Sequence, residues 1–130
     1  MKKILLVDDD IDDQDLMIDA LHTVASNILV NTQMNGNMAI KYLMDLTENE
    51  LPDLILLDYN LPELNGSEIL EALSKHARFD SIPKIIWSTS SSGLYEERCM
   101  AQGAKAYLVK PSDMKGIIAL AEKVIGFAQN

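Results

Sequence analysis

A doubly wound α/β fold, in which five parallel strands alternate with five helices, is the architecture this sequence predicts. Three observations carry it. Short runs rich in Ile, Leu and Val occupy residues 4–7, 54–57, 85–87 and 106–109, with the unbroken apolar character of strands buried on both faces. Amphipathic stretches at helical spacing separate them. Each run ends in a residue suited to phosphate or a divalent cation, namely Asp8 and Asp9, Asp58, Ser88 and Lys110. The ends of strands are where open α/β sheets bind ligands.

The elements follow in order along the chain. After the first strand, Leu16, Met17, Ala20, Leu21 and Val24 mark one face of a helix. Residues 28–32 fit a second strand, and Asn35-Gly36-Asn37 supplies a turn before a helix bearing Met38, Ala39, Tyr42 and Leu43. The third strand ends at Asp58, and Ile69, Leu70 and Leu73 continue as a helix. The fourth ends at Ser88, after which Ser91-Ser92-Gly93 opens a helix with Leu94, Cys99 and Met100. The fifth ends at Lys110, and Ile117, Ile118, Ala121, Val124 and Ile125 form the last helical face. Such alternation argues for a parallel sheet with helices on both faces. For five strands the flavodoxin-like order 2-1-3-4-5 is the common solution, and it places Asp8, Asp9 and Asp58 at the crevice between the first and third strands. Trp87 and the seven methionines read as core filler.

The 130 residues fit one domain spanning the chain, residues 1–130. Twenty acidic residues against 11 basic ones give a formal charge of −9, which repels nucleic acid and anionic membranes alike. Cys99 is the one cysteine, so no internal disulfide is available. The apolar run after Met1-Lys2-Lys3 is too short for a signal peptide, and no stretch approaches the roughly 18 apolar residues of a membrane span. A cytoplasmic location is expected.

Three carboxylates converging at a strand crevice repel one another and raise one another's pKa unless a cation neutralises them. All-oxygen donors without nearby His or Cys favour Mg²⁺, with Mn²⁺ as an alternative, and Mg²⁺ takes few carboxylates and completes its shell with water and phosphate. If Asp58 attacks phosphorus as a carboxylate nucleophile, the product is an acyl phosphate. Lys110 then supplies a fixed ammonium, and the Ser88 hydroxyl a donor that bonds a phosphoryl oxygen once it is present. Asp10, Asp12 and Asp13 read instead as turn and helix-start residues that suit the helix dipole.

These residues resemble the response-regulator receiver domains of two-component signalling, through Val7-Asp8-Asp9, Asp58-Tyr59-Asn60-Leu61-Pro62 with Gly66, Ser88-Thr89 and Tyr107-Leu108-Val109-Lys110-Pro111. The resemblance covers essentially the whole chain. It implies that Asp8 and Asp9 bind Mg²⁺ together with Asp58 and the backbone carbonyl of Asn60, and that Asp58 accepts the phosphoryl group. Ser88 and Lys110 match the family's fourth-strand hydroxyl and fifth-strand lysine, and Tyr107 its aromatic switch residue. The Lys110-Pro111 bond resembles one usually cis in the family. It further implies a stand-alone regulator, not an enzyme acting on external substrates, that is phosphorylated by a histidine kinase or histidine phosphotransfer protein. The signal is expected to leave through the face of the fourth helix, fifth strand and fifth helix to a downstream protein.

The segment around Thr47 to Pro52 looks longer than in chemotaxis-type regulators and resembles that of regulators linked to phytochrome-like kinases. Ser88 stands where threonine is commoner, and Thr89 is bulkier than the usual Ala or Gly. Rival readings fare worse. Asp8-Asp9-Asp10 contains the Asp-x-Asp of haloacid-dehalogenase-type phosphatases, but their later acidic motif has no counterpart beyond Lys110. An EF-hand loop wants Gly where Asp13 stands. A flavin-binding module of this architecture wants a Ser-, Thr- or Gly-rich first loop, which here is three aspartates.

Overall fold

Side chains alternate across a strand, so a strand that is apolar at every position must be covered on both faces. The computed structural model, which describes residues 1–128, is built this way. The strands are β1 (Lys2–Val7), β2 (Ile28–Gln33), β3 (Leu54–Asp58), β4 (Lys84–Ser88) and β5 (Ala106–Val109). The helices are α1 (Ile11–Val24), α2 (Gly36–Asp45), α3 (Gly66–Ser74), α4 (Gly93–Ala101) and α5 (Met114–Ala128). All strand pairs are parallel, in the order β2-β1-β3-β4-β5 that the sequence predicts. No helix among the described residues is long and apolar enough to cross a membrane.

Two cores result, one on each face of the sheet. Ile4, Leu6, Leu54, Leu56, Ile85 and Trp87 point toward α1 and α5. Leu5, Val7, Ile55, Leu57 and Ile86 point toward α2, α3 and α4. The central strands β3 and β4 are buried at every position, whereas β5, at the sheet edge, is buried at none. Polar side chains start the helices: Asp10 accepts from the Asp13 N–H at 3.1 Å, Asn35 from Met38 at 2.9 Å, and Asn65 from Glu68 at 2.9 Å within a reciprocal capping box. The longer segment after α2 folds as a 3-10 turn over Glu48–Glu50, tied by Thr47 and Glu50.

Three expectations need correction. Of the seven methionines only Met17 is core; Met1, Met34, Met38, Met44, Met100 and Met114 are exposed. Of the apolar positions marking α4, Cys99 alone is buried, while Leu94 and Met100 face solvent. A nine-residue helix lying beside the sheet meets it along a single line of residues, so apolar positions off that line stay wet. The Lys110-Pro111 bond is trans, as is every peptide bond among the described residues; trans is the form X-Pro bonds intrinsically favour, by about 0.5–1 kcal/mol.

The loop from β3 to α3 must return close beneath Asp58, and Gly66 permits it. Its N–H donates to the Tyr59 carbonyl at 2.8 Å, and a Cβ there would lie 3.1 Å from both the Tyr59 Cα and the Ile86 Cδ1. Gly93, in contrast, has open space around it. Gly66→Ala should therefore cost about 1–3 kcal/mol through overpacking, while Gly93→Ala should stabilise by about 0.4–1 kcal/mol through the unfolded chain. Urea unfolding midpoints of the two variants should move in opposite directions.

Candidate functional site

Register brings the candidate residues together. Val7 pairs with Leu57, so the next residues, Asp8 and Asp58, leave adjacent strands side by side. Asp58 pairs with Trp87 and Ser88 with Val109, which sets Ser88 and Lys110 beside them. The backbone continues this order, with Tyr59 N–H donating to the Trp87 carbonyl and Lys110 N–H to the Ser88 carbonyl at 2.7 Å.

Asp8 is fully buried, and both of its carboxylate oxygens are engaged. Oδ1 accepts from the Asp10 N–H at 2.9 Å, and Oδ2 from Lys110 Nζ at 2.9 Å. Buried Gln14 donates to the Asp8 carbonyl and so ties α1 to the end of β1. Asp58 Oδ1 accepts from the Asn60 N–H at 3.2 Å, and its Oδ2 lies 3.3 Å from Lys110 Nζ. Asp9 is exposed, yet one oxygen each from Asp8, Asp9 and Asp58 lies within 4.8 Å of the others. Two oxygens on one Mg²⁺ stand at most about 4.2 Å apart, so this donor set fits a hard divalent cation after a small contraction or through a bridging water. The chemistry of the set, three carboxylates and no nitrogen or sulfur, agrees.

Ser88 is fully buried, its Oγ accepting from the Ser90 N–H at 3.1 Å and meeting the Asn60 amide at 3.4 Å. Tyr107 stands farther off, its hydroxyl donating to the Ser90 carbonyl at 2.8 Å, so it touches the loop after Ser88 instead of the carboxylates. Tyr59, next to Asp58, stacks on Tyr95 of α4 with ring centroids 4.3 Å apart.

Lys110 is the hub. Its ammonium meets Asp8 and Asp58, lies 4.5 Å from the Trp87 ring centroid, and also bonds Asp13 Oδ2 at 2.9 Å. In the sequence Asp13 reads only as a helix-start residue. Its spacing of one helical turn beyond Asp9 carries no signal of a partner that lies at the far end of the chain. Burial opposes the Lys110 charge, but Asp13, Asp8 and Asp58 together hold the ammonium above the usual lysine range. The carboxylates go the other way: burial pushes Asp58 up to about 6, against the pull of Lys110, and the negative charge of Asp8 adds to the rise. Asp8 is raised as well, again chiefly by burial. Desolvation thus outweighs the mutual repulsion that sequence reasoning put first.

The chain matches the family model described as the response regulator receiver domain over residues 4–122. It is 30% identical to the two-component response regulator ORR3 of Oryza sativa subsp. indica, covering 94% of this chain and 89% of that one. Among solved structures it resembles the phosphorylated cyanobacterial phytochrome response regulator RcpA, with TM-score 0.87 and 30% identity over 97% of this chain and 92% of that one. It likewise resembles the Mn²⁺-bound form of the response regulator Rcp1, with TM-score 0.85 and 28% identity over 98% and 94% of the two chains.

The raised pKa of Asp58 has a consequence for stability. Because the folded value, about 6, lies above the ordinary 3.8, the fold binds this proton more tightly than the unfolded chain does. The contribution is therefore fully present below about pH 4 and is lost as pH rises through 6. Without divalent cations, Asp58→Asn should be more stable than the native chain at pH 7.5, by about 1–2 kcal/mol once solvent screening is allowed for, and the gap should narrow toward pH 4. Thermal unfolding across that range measures it, and a gap independent of pH would contradict the assignment.

Proposed function

This chain belongs to the response regulator receiver domain family, and from that premise we propose that it is a receiver that takes a phosphoryl group onto Asp58. The observation that carries the reading is the shared engagement of Asp8 and Asp58 by the Lys110 ammonium, beside a third carboxylate on Asp9. That arrangement sets a nucleophilic oxygen, an acidic cation cradle and a fixed positive charge at one strand crevice.

The donor is a phosphohistidine of a histidine kinase or phosphotransfer protein. An Asp58 carboxylate oxygen attacks phosphorus, the phosphorus–nitrogen bond breaks, and the imidazole keeps the electron pair as the acyl phosphate forms. At neutral pH most Asp58 is ionised and able to attack, since its pKa stands near 6. Mg²⁺ or Mn²⁺, held by Asp8, Asp9, Asp58 and the Asn60 carbonyl, would supply the charge neutralisation that three anionic phosphoryl oxygens need. Lys110 meets one of those oxygens, and Ser88 rotates its hydroxyl from the Asn60 amide toward another. Water later attacks phosphorus, the bond to the Asp58 oxygen breaks, and inorganic phosphate leaves as the carboxylate is restored.

The message leaves through α4, β5 and α5. Movement of Ser88 draws on the Ser88–Ser90 segment, to which the Tyr107 hydroxyl is tied, so Tyr107 follows and the population shifts to a second arrangement of this face. Exposed Leu94, Met100 and Val109 offer apolar contact area there for a protein partner.

Intact mass after incubation with acetyl phosphate tests the reading. We expect one phosphoryl adduct that requires Mg²⁺ and is absent from Asp58→Asn. Lys110→Met should slow its appearance roughly 10²-fold, as loss of a preorganised charge contact does. Unchanged labelling in Asp58→Asn would overturn the acceptor assignment.

A further inference from the structure

One contact at this site has no part in the chemistry above, the bond between Asp13 and Lys110. We propose that Asp13 is a positioning residue that competes with the phosphoryl group for the Lys110 ammonium and so holds the site toward its resting state. The inference rests on the reading of Asp58 as phosphoryl acceptor.

An ammonium has three N–H donors. Here three carboxylates surround them, Asp8 Oδ2 at 2.9 Å, Asp13 Oδ2 at 2.9 Å and Asp58 Oδ2 at 3.3 Å. A phosphoryl oxygen can be met only if one of these contacts is given up. A cation bound among Asp8, Asp9 and Asp58 compensates those three acids, but Asp13 lies outside that cluster. Lys110 is its one ionic partner among the described residues, so Asp13 keeps its full claim on the ammonium when the cation is bound.

Charge points the same way. Phosphorylation replaces the single negative charge of Asp58 with about two, and Asp13 is a further anion beside the group that must neutralise them. Its position is fixed by the fold, because its backbone N–H donates to the Asp10 cap at 3.1 Å in the first turn of α1. Its side chain is about one-third exposed, against 8% for Lys110, so the carboxylate can yield toward water while the ammonium stays.

Trp87 makes the competition measurable. It is the single tryptophan, and its ring lies 4.5 Å from the Lys110 nitrogen, so its emission reports displacement of the ammonium. The probe is beryllium fluoride, a phosphoryl mimic, titrated in saturating Mg²⁺ against the native chain, Asp13→Asn and Asp12→Asn. Asp12 occupies the same helical turn, is exposed and makes no contact with Lys110, so it controls for loss of charge alone. We expect Asp13→Asn to bind the probe roughly three- to tenfold more tightly than the native chain, and Asp12→Asn to match the native chain. Equal affinities in the native chain and Asp13→Asn, or the same gain in Asp12→Asn, would overturn the inference and leave the acceptor reading standing. A native chain that neither binds the probe nor gains mass from acetyl phosphate would overturn both.

Discussion

Everything at the carboxyl end of this sheet depends on how buried negative charge is compensated. Asp8 and Asp58 follow the buried apolar runs at residues 4–7 and 54–57 of adjacent strands, and removing ionised carboxylates from water costs several kcal/mol each unless they are paired. Lys110 makes the pairing possible, and it does so from 102 residues beyond Asp8 in the chain. Its ammonium lies over the Trp87 ring, whose face adds a favourable quadrupole beneath it. One cation thus couples the first, third, fourth and fifth strands with the first turn of α1.

The same coupling makes the site suited to switching. Under the proposed function, a cluster held by one ammonium shared among three carboxylates would gain a second arrangement once another cation and a phosphoryl group enter, because the total charge could be matched in both. Around it, the contacts that would carry the change are short and discrete. Asn60 lies between Asp58 and Ser88, Ser90 between Ser88 and Tyr107, and Tyr59 stacks directly on Tyr95 of α4. The loop after Asp58 therefore reaches β5 through hydrogen bonds and α4 through stacked rings.

Much of this was legible in the sequence, for a physical reason. The middle of a strand buried on both faces is apolar, so residues 4–7 of β1, 54–57 of β3 and 85–87 of β4 stand out as apolar runs, and the charged or hydroxyl residues that follow them share a crevice in a parallel sheet. What lay hidden depends on surfaces and on distance. A methionine is apolar whether or not anything covers it, so Met38 and Met100 read as core until the helix orientation is known. Asp13 looks like any acid in a first helical turn, since its partner Lys110 is distant in sequence. The ranking of burial above repulsion at Asp58 likewise needed the shape of the crevice, which a list of acids does not contain.

Asp8, Asp9 and Asp58 are proposed to form one cation site at the strand ends, distinct from the many exposed acids of a chain carrying −9. Amide NMR with substoichiometric Mn²⁺ would locate it. Paramagnetic broadening is expected to centre on the amides of Asp8, Asp9, Asp58 and Asn60, to spare exposed acids such as Asp45 and Glu122, and to be reversed by excess Mg²⁺. Broadening spread over the exposed acids, or broadening that Mg²⁺ does not displace, would contradict it.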